Sequence, residues 1–195
     1  MIAGIDYGSK LAGTTVICYS DKKKQLHLLQ SQKKKDADAM ILKACDEYHF
    51  SSVYIDAPLS LPGVYSALKG YDDYFYRIGD KKISAMSPMF LGGLTARAMR
   101  LVAKMRSKYK SDVCEIYPGG CARQWDVLAA CYKIDLEMTR LIITNTLADW
   151  GYILDAEQVT NWHRCDAVLA FYIGLKHLKG KAKALGTVEE GQIWI

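Results

Sequence analysis

An α/β fold built on one mixed sheet, antiparallel on one side and parallel on the other, is predicted by the order of the apolar runs. Three strand-like segments open the chain with short connections, the pattern of an antiparallel meander. After them, helical and strand-like patterns alternate, which builds parallel strands with helices on both faces. The 195 residues suit one domain, and half of them are apolar, enough to fill a core.

Ile2 to Tyr7 reads as a short buried strand broken by Gly8-Ser9-Lys10, and a second runs from about Thr14 to Tyr19. Ser20 to Lys24 is a polar turn, and Gln25 to Gln30 alternates well enough for a third strand. Asp36 or Asp38 caps a helix that reaches Tyr48 with Ala39, Ile41, Leu42 and Cys45 on its apolar face. Val53 to Ile55 is the fourth strand, ended by Asp56-Ala57-Pro58. A weakly periodic stretch follows, an inserted loop or lid at about 59–90; loops of that length tend to be functional. Leu91 to Tyr109 has a strong helical pattern, and Val113 to Tyr117 is the fifth strand, stopped by Pro118-Gly119-Gly120. Two helices are expected over Leu136–Trp150, capped by Asp135, and Trp162–Leu178, capped by Asn161. The segment from Ala184 to Ile195 reads as a small hairpin around Glu189-Glu190-Gly191. The expectation is therefore a mixed five-stranded central sheet with helices on both faces and a small C-terminal hairpin.

The chain carries 26 Lys and Arg against 21 Asp and Glu, a net +5 that suits a polyanionic partner. No apolar run approaches the ~18 residues of a membrane span. The opening segment holds Asp6 and lacks the basic stretch of a secretory leader. Six cysteines with no C-x-x-C pair read as reduced thiols, so a cytoplasmic protein without membrane association is expected. Oligomeric state stays open, a homodimer included.

Four carboxylates stand where stability would not put them. Asp6 lies inside the first strand, Asp56 ends the fourth, Glu115 sits within the fifth, and Asp166 precedes the apolar run Ala167-Val168-Leu169-Ala170. A buried ionised carboxylate costs several kcal/mol unless it is paired. Carboxylates gathered at strand ends would make an oxygen cage for Mg²⁺ or Mn²⁺. Taken singly, Asp56 reads as a turn residue and Asp166 as a partner of Arg164 or of the helix dipole.

These residues carry a resemblance. Gly4-Ile5-Asp6-Tyr7-Gly8-Ser9 resembles the opening of the RNase H-like nucleases, especially the Holliday-junction resolvase branch. Val113 to Tyr117 and Cys165 to Ala170 resemble that branch's acidic fifth strand and helical Asp-Ala motif. Ile55 to Pro62, and His163 three residues before Asp166-Ala167, are similar to a related domain-of-unknown-function family of predicted RNase H-like nucleases. The resemblance implies an RNase H-like fold and hydrolysis of DNA or RNA phosphodiester bonds by two divalent ions. Asp6 would bridge them, with Asp56, Glu115 and Asp166 completing the shell. The chain departs from the resolvases at Asp56, where they carry Glu, and at Leu59 to Met89, which has no counterpart there.

Arg97, Arg100, Lys104 and Lys108 share one stripe of the helix after Leu91, suited to phosphates, with Arg97 nearest the helix start. Lys104 and Lys108 read better as an ordinary solvated face. Arg77 lies in an aromatic stretch, with Tyr71, Tyr74, Phe75 and Tyr76, suited to a strand-binding lid or to a flap packed on the domain. His163 is placed to serve as acid, base or phosphate ligand, or as a structural helix-start histidine. Lys22-Lys23-Lys24 and Lys33-Lys34-Lys35 bracket the third strand, either as a basic surface or as turns that blunt an edge.

The alternative to a nuclease is a catalytically inactive nucleic-acid- or protein-binding module on the same fold. A two-lobed sugar-kinase or actin-like ATPase needs an internal repeat that the chain lacks. A dinucleotide site fails because Gly4, Gly8 and Gly13 do not form G-x-G-x-x-G.

Overall fold

The computed structural model describes residues Met1–Ile195 and contains one seven-stranded sheet. Its strands are β1 (Ile2–Asp6), β2 (Val16–Ser20), β3 (Leu26–Gln30), β4 (Ser52–Asp56), β5 (Asp112–Ile116), β6 (Ala184–Thr187) and β7 (Gly191–Trp194). The order across the sheet is β3-β2-β1-β4-β5-β7-β6. β1, β2 and β3 pair antiparallel, while β4, β5 and β7 extend the sheet parallel to β1. This is the mixed α/β architecture, helices on both faces, that the RNase H-like resemblance implies.

One expectation changes. The hairpin β6–β7 is part of the sheet, because β7 pairs with β5 through Glu115↔Ile193 and Ile116↔Trp194. Five central strands thus become seven. Pairing between strands so far apart in sequence leaves no local signature.

The helices are α1 (Ala37–Tyr48), α2 (Ile78–Ile83), α3 (Pro88–Leu91), α4 (Gly93–Lys104), α5 (Pro118–Arg123), α6 (Asp126–Ala129), α7 (Leu136–Asp149) and α8 (Trp162–Leu178). Asp36, Asp135 and Asn161 cap α1, α7 and α8 by accepting from backbone N–H groups of the first turn. The single helix expected from Leu91 is divided: Gly92, with φ 46°, ends α3 before α4 begins, and α4 runs on into a π-helical turn, Met105–Tyr109. Pro118-Gly119-Gly120, which stops β5 as expected, also starts α5. Proline fits the first helical position because its missing N–H would have no partner there anyway. The 59–90 stretch, expected as an inserted loop or lid, holds a 3₁₀ turn (Gly63–Ser66), α2 and most of α3, so it is folded.

The alternation of strand side chains divides the core in two. Ala3, Ile5, Val53, Ile55 and Val113 join Ala98, Leu101 and Val102 of α4 on one face. Val16 and Cys18 join Val168 and Phe171 of α8 and Leu147 of α7 on the other. The backbone of α8 crosses β1 so closely that a Cβ at Gly4 would lie 2.1 Å from the Phe171 nitrogen. That contact sets Asp166 of α8 beside the end of β1.

Candidate catalytic cleft

A cleft of about 320 Å³ opens over the carboxyl ends of β1, β4 and β5, lined among others by Asp6, Tyr7, Asp56, Arg77, Asp80, Leu94 and Glu115. Asp6 and Asp56 are register partners on adjacent parallel strands, so their side chains leave the same face of the sheet. It is the face that α8 covers, since Gly4, of the same parity as Asp6, abuts Phe171.

Asp56 has no hydrogen-bond or ion-pair partner of its own. Burial, together with the negative charges of Asp6, Asp166 and Glu115, pushes its carboxyl well above the usual range. Asp6 accepts from His163 at 2.8 Å, and His163 is about half exposed. Donation to the Asp6 carboxylate places a ring proton on Nδ1 and leaves Nε2 unengaged. The bond to Asp6 raises the His163 pKa above its ordinary value, against partial burial.

Asp166 sits in the second turn of α8 and is nearly buried. Tyr132 donates to Oδ1 at 2.7 Å and Lys133 to Oδ2 at 2.5 Å. Burial raises the Asp166 carboxyl while Lys133 opposes that rise. The Lys133 ammonium lies 5.2 Å from the ring centres of both Tyr132 and Trp162, which fixes its position. Sequence reasoning missed Tyr132 and Lys133: they lie in a turn after α6, more than thirty residues before Asp166, and no local pattern marks the pairing.

Glu115 departs from expectation. It is the register partner of Ile55, not of Asp56, so it leaves the sheet from the face opposite to Asp6 and Asp56. There it meets Arg77. The five guanidinium N–H groups all have acceptors: Nε and Nη2 donate to Asp80, Nη1 and Nη2 to Glu115, and Nη1 also to Ser60. The Leu59 backbone N–H donates to Glu115 as well, at 2.8 Å. Arg77, expected as a substrate-binding residue, is fully buried with its guanidinium committed to Asp80, Glu115 and Ser60. The i,i+3 pairing of Arg77 with Asp80 is the one sequence signal that foreshadowed this.

Arg97 is likewise committed inside the fold. Its Nε donates to Tyr7 Oη and to Asp38, and its Nη2 to the Gly8 carbonyl at 2.7 Å. Arg100 and Lys104 are exposed, but α4 starts at the cleft and carries them away from it: Lys104 lies ten residues beyond Leu94, about 15 Å along the helix. None of these three faces the carboxylates as a free cation. Of the lid aromatics, Tyr74 and Phe75 are exposed, and Tyr71 is bonded to Thr187.

The donor chemistry of Asp6, Asp56 and Asp166 suits a hard divalent cation, and the like-charge pressure on Asp56 is what such a cation would relieve. Glu115 does not fit that shell, being held by Arg77. As placed, no three His, Cys, Asp or Glu side chains stand close enough to hold a metal ion.

No protein-family model and no curated protein matches the sequence. Among solved structures, the chain is similar to RuvC of Thermus thermophilus, with 17% identity, a TM-score of 0.48, and 93% of this chain and 98% of that chain covered. A likeness so distant carries nothing about activity. No helix is long and apolar enough to cross a membrane.

Proposed function

We propose that the cleft hydrolyses phosphodiester bonds of DNA or RNA with the help of Mg²⁺ or Mn²⁺. The observation that carries this reading is the in-register pair Asp6–Asp56 with Asp166 brought against it by α8. Asp6, Asp56 and Asp166 would hold the cation only after drawing closer together than they stand without it, and the cation would supply an activated water and neutralise charge on the phosphate. His163, bonded to Asp6 through Nδ1, would take or give a proton through Nε2. Lys133 holds positive charge beside Asp166, where a phosphate would otherwise meet only carboxylates. Six unpaired thiols fit a reducing, cytoplasmic setting.

Cleavage of labelled single-stranded and duplex oligonucleotides with Mn²⁺ or Mg²⁺ tests the reading. Asp6→Asn and Asp166→Asn are expected to abolish it in protein that still unfolds cooperatively. Undiminished, metal-independent cleavage by both variants would reject it.

A second reading, a binding module without catalysis, is favoured by one observation: Arg77 and Lys133 already neutralise Glu115 and Asp166. Calorimetry separates the two. Oligonucleotide binding with no heat of Mn²⁺ binding at millimolar concentration would select the module.

A further inference from the structure

The floor of the cleft is anionic, so a phosphodiester strand reaches it only if cations near the rim hold the strand. Neither Arg77 nor Arg97 is free to do so. Two triple-lysine turns offer denser positive charge, and the register separates them. Gln30 at the end of β3 faces Val16, and Val16 faces Asp6. Lys33, Lys34 and Lys35 therefore follow β3 at the same end of the sheet as the carboxylates, starting two interstrand spacings, about 10 Å, from the end of β1. Lys22, Lys23 and Lys24 belong to the turn beyond Ser20↔Leu26, at the opposite end. A five-residue strand, about 16 Å, lies between the two turns.

The lysine shelf near the carboxylates is built rather than loose. Its loop is sewn to the β1–β2 loop by five hydrogen bonds: Ser31 N–H to the Thr15 carbonyl, Thr15 N–H to Ser31 Oγ, Gln30 Nε2 to the Gly13 carbonyl, Lys34 N–H to the Leu11 carbonyl and Ala37 N–H to the Lys10 carbonyl. Lys34 is held at φ 64°, a left-handed conformation that disfavours residues with a Cβ. Its charge is unbalanced. The neighbouring acid, Asp36, is paired with Lys10 at 3.0 Å, while the ammonium groups of Lys33, Lys34 and Lys35 make no ion pair and are exposed. Between shelf and cleft, Arg164 is fixed by donating to Gln30 Oε1 at 2.9 Å, and His163 follows. In the opposite turn, by contrast, the Lys24 ammonium lies 5.3 Å from the Tyr152 ring centre.

We propose that Lys33, Lys34 and Lys35 form the track on which the phosphate backbone of a nucleic-acid strand lies as it enters the cleft. The inference rests on the nuclease reading for the identity of the polyanion. It adds the surface and the direction of approach, over the β3–α1 connection.

The test is fluorescence anisotropy of a labelled oligonucleotide, single-stranded and duplex, with the full chain in EDTA between about 50 and 200 mM salt. Lys33→Gln, Lys34→Gln and Lys35→Gln combined should weaken binding about tenfold or more at the lower salt. The slope of log K against log salt should fall by about 2 to 3. The matching triple at Lys22, Lys23 and Lys24 should stay within about twofold of the parent under the same counterion-release reasoning. Lys34→Gly, which relieves the left-handed backbone, guards against misfolding and should still weaken binding about threefold for one lost contact. Equal losses in the two triples, unchanged binding by the first, or no oligonucleotide binding by the parent would overturn the proposal. So would a parent that binds anionic vesicles but not oligonucleotides. Asp6→Asn keeps the track intact: retained binding with lost cleavage supports both ideas, and retained cleavage sinks the catalytic reading alone.

Discussion

Asp6 stands directly opposite Asp56 in the parallel pairing of β1 with β4, two carboxylates sharing one face at the mouth of the cleft. Asp56, Asp166 and His163 all titrate above their ordinary values in the folded chain: Asp56 and Asp166 through burial first, His163 through its bond to Asp6. A group whose folded pKa is raised adds stability that is complete below its unfolded pKa and is lost as pH rises through the folded value. The metal-free site therefore opposes folding increasingly from pH 4 upward, roughly the unfolded carboxylate pKa.

Asp56→Asn should consequently raise the Tm in EDTA more at pH 8 than at pH 5, since the amide removes the group that titrates under like-charge pressure. Thermal unfolding at both pH values checks this. An equal effect at the two, or destabilisation that grows with pH, would show that Asp56 is not under such pressure.

Arg77→Ala should cost about 3–5 kcal/mol in urea unfolding, because it strands Glu115 and Asp80 as uncompensated buried charges. A loss below about 1 kcal/mol, the range of an exposed pair, would mean that the guanidinium is not sealed from water.

Lys133→Ala should tighten Mn²⁺ binding about two- to fivefold, the equivalent of losing a half-exposed ion pair worth ~0.5–1 kcal/mol. Isothermal calorimetry reads this without any turnover. Weaker Mn²⁺ binding would instead make Lys133 a support of the carboxylate arrangement.

Gly4→Ala should destabilise by at least the ~1–3 kcal/mol typical of overpacking, since its methyl meets the backbone of α8 and not a flexible side chain. The same change should weaken Mn²⁺ binding, because α8 carries Asp166. Wild-type stability would show that α8 can yield there without loss.

The central strands and α8 were legible because their signals are local: short apolar runs closed by turn residues for β1 and β2, alternation for β3, and Asn161 ahead of an apolar helix ending near Gly180. Asp6, Asp56 and Asp166 drew notice because each breaks or borders an apolar run, and His163 through its three-residue spacing from Asp166. The face taken by Glu115 was not legible. Alternation fixes which side of β5 its neighbours occupy, but only the register against Ile55 of β4 says which side that is. Arg77 read as a free cation for the same reason, since its partner Glu115 lies 38 residues away. Gly92 was hidden inside an otherwise continuous helical pattern.

β7 joins β5 through only two residue pairs, while β6 is the strand against which α2 of the lid packs. Glu190, in the tip between β6 and β7, is buried and accepts from the Gly63 and Ile78 backbone N–H groups. Lid and hairpin are thus fastened to each other more firmly than the hairpin is to the sheet. They should come away as one cooperative unit, with amides of α2 and β6 exchanging with deuterium together and well before those of β1. Such an opening would break the Arg77–Glu115 contact and uncover the far wall of the cleft without unfolding the strands that carry Asp6 and Asp56.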